Sequence, residues 1–106
     1  MNDQSQLTLS KYVSGNETNI VLSGHLDYQT VPKLRRAVRE SLSDNSSAVV
    51  INLANVQWLD SMAMGILMSC HRLLETRNRK LVLSNCTGML LKALQLVNFH
   101  RILEIR

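Results

Sequence analysis

The sequence has few of the residues that mark membrane, secreted and metal-binding proteins. Its 106 residues include two cysteines, one proline, four glycines, two tyrosines, one tryptophan and one phenylalanine. No apolar run approaches the roughly 20 residues that a membrane-spanning helix needs, and the polar residues 1–6 show no secretory signal pattern. Two cysteines are too few for a disulfide framework and match no zinc-site spacing. We therefore expect a cytoplasmic protein without membrane insertion, in which Cys70 and Cys86 are buried thiols.

The composition is typical of a globular protein, and its length predicts a single domain spanning residues 1–106. Hydrophobic residues make up 45% of the chain and charged residues 19%, as in ordinary folded proteins. The net charge of +4 permits nucleic-acid binding, but the basic residues are scattered and the few aromatic residues offer little base stacking. We expect no direct contact with nucleic acid, and we interpret the basic residues as solvated helix faces.

Hydrophobic periodicity predicts an α/β fold. Predicted strands lie at Leu7–Val13, Asn19–Ser23, Ala48–Leu53, Lys80–Asn85 and Ile102–Ile105. Predicted helices lie at Val31–Leu42, from Met62 to about Arg77, and at Met89–Val97. The first two strands are joined by a short turn and predict a hairpin. The order ββαβαβαβ therefore indicates a mixed, mostly parallel sheet that opens with this hairpin and has three helices packed on it. Thr30 is the predicted N-cap of the first helix, and residues 54–59 are predicted to be a connection.

The sequence gives weak support for catalysis. Ser61 could be combined with a histidine (His25, His71 or His100) and with Asp27 or Asp60, but no Gly-x-Ser-x-Gly elbow surrounds it. His71 would lie about 15 Å from Ser61 along the same predicted helix. His25 and Asp27 could supply only two metal ligands, and the isolated glycines form no phosphate-binding loop. We expect neither an enzyme nor a bound metal or cofactor.

The Asp60-Ser61 step, at the start of the central predicted helix, has two interpretations. Aspartate and serine are preferred N-cap residues, so the step is explained by capping alone. A helix N-terminus also favours an anion by about 0.3–1 kcal/mol, so a serine there could carry a phosphate. A phosphate adds about −1.5 to −2 charges and would disrupt an apolar contact nearby. Met62 and Met64 would suit such a contact because methionine repacks easily against a partner.

Several motifs resemble the STAS domain of bacterial anti-anti-sigma factors. Within residues 49–67 they are Val-Val-Ile-Asn-Leu, Val-Gln-Trp-Leu-Asp-Ser and Gly-Ile-Leu. Gly24-His25-Leu26-Asp27 with the following Thr30 matches a second segment, and residues 80–83 and 94–103 match the closing half. The resemblance extends from about Leu7 to Ile105 and implies the STAS fold.

The resemblance also implies a function and a site. Ser61 would be the phosphate acceptor, and the surface facing the partner would include Asp27, Thr30, Asp60, Met62, Met64 and Gly65. The partner would be an anti-sigma factor that is also a serine kinase with an ATP-binding fold. Phosphorylation would abolish binding, and a metal-dependent serine phosphatase would restore it. The alternative is a STAS subunit that is not phosphorylated and has a structural or regulatory role in a transporter or lipid-transfer ATPase complex.

This chain departs from the family pattern directly after the acceptor serine. The usual continuation is Ser-(Ser/Thr)-Gly-Leu-Gly, whereas this chain has Ser61-Met62-Ala63-Met64-Gly65. Alanine favours a helix over glycine by about 1 kcal/mol, so Ala63 is expected to stiffen the helix start.

Overall fold

The computed structural model describes residues 7–106, so the prediction for residues 1–6 lies outside its range. The strands are β1 (Leu7–Ser14), β2 (Glu17–Leu26), β3 (Ala48–Leu59), β4 (Lys80–Ser84) and β5 (Glu104–Ile105). The helices are α1 (Val31–Glu40), α2 (Ser61–Glu75) and α3 (Gly88–Leu96), with short 3₁₀ turns at Ser41–Ser43 and Phe99–Arg101. This order confirms the predicted ββαβαβαβ arrangement.

The strands form one mixed sheet in the order β1-β2-β3-β4-β5. β1 and β2 pair antiparallel through a tight turn, where Gly15 adopts a φ of 59° that favours glycine. The pairs β2–β3, β3–β4 and β4–β5 are all parallel. The prediction of a mostly parallel sheet that opens with a hairpin is therefore confirmed.

The three helices cover one face of the sheet. Buried side chains from each helix join alternate residues of the three central strands in a single cluster, which includes Leu34, Val38, Leu67, Leu74, Leu90 and Leu94 from the helices and Ile20, Leu22, Ile51, Leu53, Leu81 and Leu83 from the strands. The opposite face of the sheet holds a small separate cluster of Ala48, Val50 and Val82. The molecule is thus a two-layer α/β structure.

The prediction that residues 54–59 form a connection is wrong, because they continue β3. β2 extends to Leu26, beyond its predicted end at Ser23, and offers a pairing edge to this segment. Asn55 pairs with Ser23, Val56 with Gly24 and Leu59 with Leu26, and the register shifts just before Ser23 and again between Gly24 and Leu26. The longer strand carries the chain directly to Asp60, at the start of α2.

Both cysteines are free and buried, as predicted. Burial raises the pKa of each thiol to about 11, so both are neutral thiols at neutral pH. No helix within residues 7–106 has the length and apolar character needed to cross a membrane.

Candidate functional site

Asp60 caps the N-terminus of α2. It lies between the last residue of β3 and Ser61, the first residue of the helix. Its Oδ1 accepts a hydrogen bond of 2.8 Å from the Ala63 N–H, and its backbone oxygen accepts one of 3.0 Å from the Met64 N–H. The capping interpretation of the Asp60-Ser61 step is therefore confirmed, with Asp60 as the capping residue.

The same aspartate connects α2 to the turn between β2 and α1. Its Oδ2 accepts a hydrogen bond of 3.1 Å from the backbone N–H of Tyr28. Its own N–H donates to the Leu26 carbonyl at 3.4 Å. One carboxylate thus holds the start of α2 beside the end of β2 and the following turn.

Asp27 and Thr30 organise that turn. Asp27 Oδ1 accepts from the N–H groups of Gln29 at 3.0 Å and Thr30 at 3.3 Å. The Thr30 hydroxyl donates to the His25 carbonyl at 2.7 Å and accepts from the Asp27 N–H at 3.0 Å. Thr30 stands at the N-cap position of α1, but its side chain makes no capping bond. The prediction that Thr30 caps α1 is wrong in this respect, because the hydroxyl is already engaged with residues 25 and 27.

The two turn residues are also nearly inaccessible. Asp27 is 9% exposed and Thr30 is 8% exposed. They therefore shape the backbone around Tyr28 and leave little side-chain surface for a partner to contact.

Ser61 is exposed at the first position of α2. Within residues 7–106 its hydroxyl makes no hydrogen bond. The first N–H groups of a helix have no carbonyl partner inside the helix, and together with the helix dipole they favour an anion. The hydroxyl is thus open to an incoming reagent and lies where added negative charge is tolerated.

Three large exposed side chains belong to the turn, the strand end and the helix start that meet at Asp60, and we call them the apolar rim: Tyr28, Trp58 and Met62. They are 64%, 48% and 54% exposed. Tyr28 is held to Asp60 through its backbone, and the other two lie two residues before and after Asp60 in the chain. The Trp58 ring also packs against His25, with 5.8 Å between ring centroids. Exposed apolar side chains grouped in this way mark interaction surfaces.

Tyr28 and Trp58 were not identified from the sequence as site residues. Two features of the sequence could have identified them: aromatic residues are scarce in this chain, and both lie near predicted site residues. Tyr28 directly follows Asp27, and Trp58 lies two residues before Asp60. Tyrosine and tryptophan are enriched in protein interfaces because they combine a large apolar surface with a polar group.

Met64 and Gly65 differ in their surroundings. Met64 is half-buried and packs against the main core, so only part of its side chain faces outward. Gly65 is exposed, and a Cβ added there would meet no other atom within 4 Å. Because Gly65 has no side chain, the helix surface one turn beyond Ser61 is open to solvent.

Among residues 7–106, no histidine and carboxylate complete a catalytic triad with Ser61. His71 is buried on α2 with its Nε2 3.6 Å from Glu75, and no hydrogen bond in the described part of the chain joins Ser61 to an imidazole. The Asp27 carboxylate is occupied by the amides of its own turn. Within residues 7–106, no group of three or more His, Cys, Asp and Glu residues could hold a metal ion.

Comparison with known proteins gives consistent results. The family model described as the STAS domain matches residues 9–106. The anti-sigma-B factor antagonist of Listeria monocytogenes is 25% identical over 88 residues, which cover 83% of this chain and 77% of that protein. A STAS-domain containing protein of Pseudomonas aeruginosa is 27% identical over 99 residues, or 93% of this chain and 97% of that protein. The crystal structure of an anti-sigma factor antagonist from Mycobacterium paratuberculosis has a TM-score of 0.86 and 19% identity, and the match covers 99% of this chain and 89% of that one.

Proposed function

Because the chain belongs to the STAS domain family, we propose that it is an anti-sigma factor antagonist that acts by partner switching. In its unphosphorylated form it binds an anti-sigma factor that is also an ATP-dependent serine kinase. Phosphorylation of Ser61 by that kinase ends the binding. The naming of its relative in Listeria monocytogenes as an anti-sigma-B factor antagonist supports this general role.

The observation that carries the proposal is the exposed Ser61 hydroxyl beside the apolar rim. A phosphate acceptor must be reachable by the γ-phosphate of a nucleotide, and Ser61 is exposed at the N-terminus of α2. The rim residues provide the apolar surface that a partner would cover. The acceptor and the docking surface are therefore adjacent.

This adjacency explains how a phosphate would end the binding. A phosphoserine adds about −1.5 to −2 charges at neutral pH. In the complex, that charge would lose water next to Tyr28, Trp58 and Met62 and close to the Asp60 carboxylate, which raises the energy of the bound state. In the free domain, the N-terminus of α2 favours the anion. Phosphorylation would thus weaken docking and leave the fold intact.

Reversal would need a second enzyme. A metal-dependent serine phosphatase would remove the phosphate, which would be as accessible as the hydroxyl that carried it. The domain itself would act as the switchable binding module and supply no catalytic group.

The test is incubation of the purified chain with ATP and the anti-sigma serine kinase encoded nearest to its gene, followed by mass spectrometry. Phosphate is expected on Ser61 and is expected to be absent from Ser61→Ala. Ser69→Ala is the matched control, since Ser69 is exposed two turns further along the same helix and its loss should leave phosphorylation unchanged. Phosphate on a residue other than Ser61 would contradict the proposal. So would an unphosphorylated chain that forms a stable complex with a transporter or lipid-transfer ATPase subunit.

A further inference from the structure

The exposed face of α1 carries three arginines without partners. Arg35, Arg36 and Arg39 are exposed, and within residues 7–106 none of their guanidinium groups forms a hydrogen bond or an ion pair. Glu40 lies at the end of the same helix and does not pair with them. These arginines form an uncompensated basic surface.

The other acidic side chains of the described residues are engaged elsewhere. Asp44 pairs with Arg79, Glu75 lies near His71, and Glu17 and Glu104 pair with Arg106 and Lys80. Asp27 and Asp60 accept hydrogen bonds from backbone amides. Within residues 7–106, Glu40 is the one acidic residue that lines a groove with these arginines, so this surface keeps an excess of positive charge.

Two grooves adjoin these arginines. One, of about 360 Å³, is lined by Pro32, Arg35, Arg36, Arg39 and Glu40. The other, of about 310 Å³, lies between α1 and α2 and is lined by Arg35, Arg39, Ser69, Cys70 and Leu73. Both grooves share Arg35 and Arg39, so a ligand in either would contact the same two cations.

Part of the basic surface is unfavourable for the helix, although Arg39 lies in the last turn, where a cation matches the helix dipole. Arg35 and Arg39 are spaced i and i+4, where like charges destabilise a helix, and the first turn of α1 has no acidic residue to match the helix dipole. Cys70, which lines the groove, supplies no negative charge because burial raises the pKa of its thiol to about 11. An external group of opposite charge would relieve this repulsion.

We propose that the grooves at Arg35 and Arg39 dock an acidic segment of a protein partner. Arginine binds carboxylates in a two-point geometry, and Leu73 and Pro32 offer apolar contacts to the rest of such a segment. Single-stranded nucleic acid is disfavoured because no aromatic residue lines either groove for base stacking. A membrane surface is disfavoured because no large apolar side chain of α1 is exposed for insertion.

The groove between α1 and α2 is separate from the phosphorylation site. Ser69 lies eight residues after Ser61, which corresponds to about 12 Å along the helix axis. The inference goes beyond the proposed function and does not require Ser61 to be phosphorylated. It can therefore fail or succeed independently of the kinase reaction.

The test is fluorescence anisotropy with a labelled synthetic peptide in which glutamates alternate with alanines and leucines. The double variant Arg35→Gln/Arg39→Gln is expected to bind this peptide at least about tenfold more weakly than wild type, with affinity that falls as salt rises. The matched control Arg77→Gln/Lys92→Gln removes the same charge from exposed residues on other elements and should bind nearly as wild type. Ser61→Asp should also bind the peptide as wild type.

Two outcomes would overturn the inference. An equal loss in the Arg77→Gln/Lys92→Gln control would show general attraction to a basic protein. Tighter binding of duplex DNA or phosphatidylserine vesicles than of the peptide, lost in Arg35→Gln/Arg39→Gln, would assign the grooves to a nucleic acid or a membrane. Circular dichroism checks that each variant is folded. Arg39→Glu, which reverses the charge at one position, is a second variant that should lose peptide binding.

Discussion

At the scale of single residues, Asp60 does more than cap a helix. One oxygen accepts from Ala63 and the other from Tyr28, so the side chain joins α2 to the turn after β2. Its neighbour Ser61 makes no such bond. Asp60 thus has the structural role, and the switching role that we propose belongs to the adjacent residue.

Replacing Asp60 tests the structural role. We expect Asp60→Ala to lower the free energy of unfolding by about 1–2 kcal/mol, because it removes an N-cap and leaves two amides without their acceptor. Asp60→Asn should lower the free energy of unfolding by less, since its amide oxygen can still accept a hydrogen bond from the Ala63 N–H. Urea unfolding measures both, and an unchanged unfolding midpoint in Asp60→Ala would show that these bonds contribute nothing.

Gly65 tests whether the helix surface beyond Ser61 is used for docking. Gly65→Ala is expected to stabilise the fold by about 0.4–1 kcal/mol, because a Cβ there meets open space and alanine favours the helix. The added methyl group lies one turn from Ser61, so the same variant should bind the kinase more weakly. Glu75→Gln, also at an exposed residue of α2, is the control that should not weaken binding. Unchanged kinase affinity in Gly65→Ala would exclude Gly65 from the interface.

The residues of the site were only partly predictable from the sequence. Asp60 and Ser61 were identifiable because they sit between an apolar strand and a helix, where capping chemistry is local. Tyr28 was not, because its position beside the site depends on a hydrogen bond to Asp60, 32 residues away. The hydrogen bonds of Thr30 were equally hidden, since which acceptor a hydroxyl chooses depends on the path of the backbone.

At the scale of elements, a polar network secures the loop before β3. The Asp44 carboxylate accepts from the hydroxyls of Ser46 at 2.7 Å and Thr18 at 2.8 Å and pairs with Arg79 at 2.9 Å. Burial raises the pKa of Asp44, but these hydrogen bonds and the Arg79 charge outweigh it and lower the pKa to about 2. The network links β2 and the segments that lead into β3 and β4.

The lowered pKa predicts how stability depends on pH. Because the folded pKa lies below the unfolded value of about 3.9, the stabilisation is complete above roughly pH 4 and is lost as pH falls towards about 2. We expect Asp44→Asn to lower the free energy of unfolding by about 1–2 kcal/mol at neutral pH, allowing for partial exposure of the carboxylate. The difference from wild type should shrink as the pH is lowered, as followed by urea unfolding at several pH values. A stability difference that stays constant down to the lowest pH would contradict the lowered pKa of Asp44. Glu40→Gln, at an unpaired exposed residue, is the control.

Element types were predictable from periodicity, but several boundaries were not: β2 and β3 are longer than predicted, and β5 begins at Glu104 and not at Ile102. The run Ala48–Leu53 indicated a buried strand because it is almost continuously apolar. Residues 54–59 lack that pattern, with both Ala54 and Asn55 exposed, and become strand only because β2 extends beside them. Such a boundary depends on pairing with a segment that is distant in the chain, and hydrophobic periodicity does not show that pairing.

At the scale of the whole molecule, a single main core joins all three helices to the sheet. We therefore expect cooperative unfolding in one transition. Far-UV circular dichroism and Trp58 fluorescence should give the same urea midpoint. Separate midpoints would contradict the prediction that residues 1–106 form one domain.

The central claim for the molecule is that the charge on Ser61 decides whether the partner docks. Isothermal titration of the anti-sigma serine kinase against the phosphorylated and unphosphorylated chain measures this most directly. We expect phosphorylation to weaken binding by at least about 1–3 kcal/mol, the range for an unpaired charge entering an interface. Equal affinity of the two forms would contradict it.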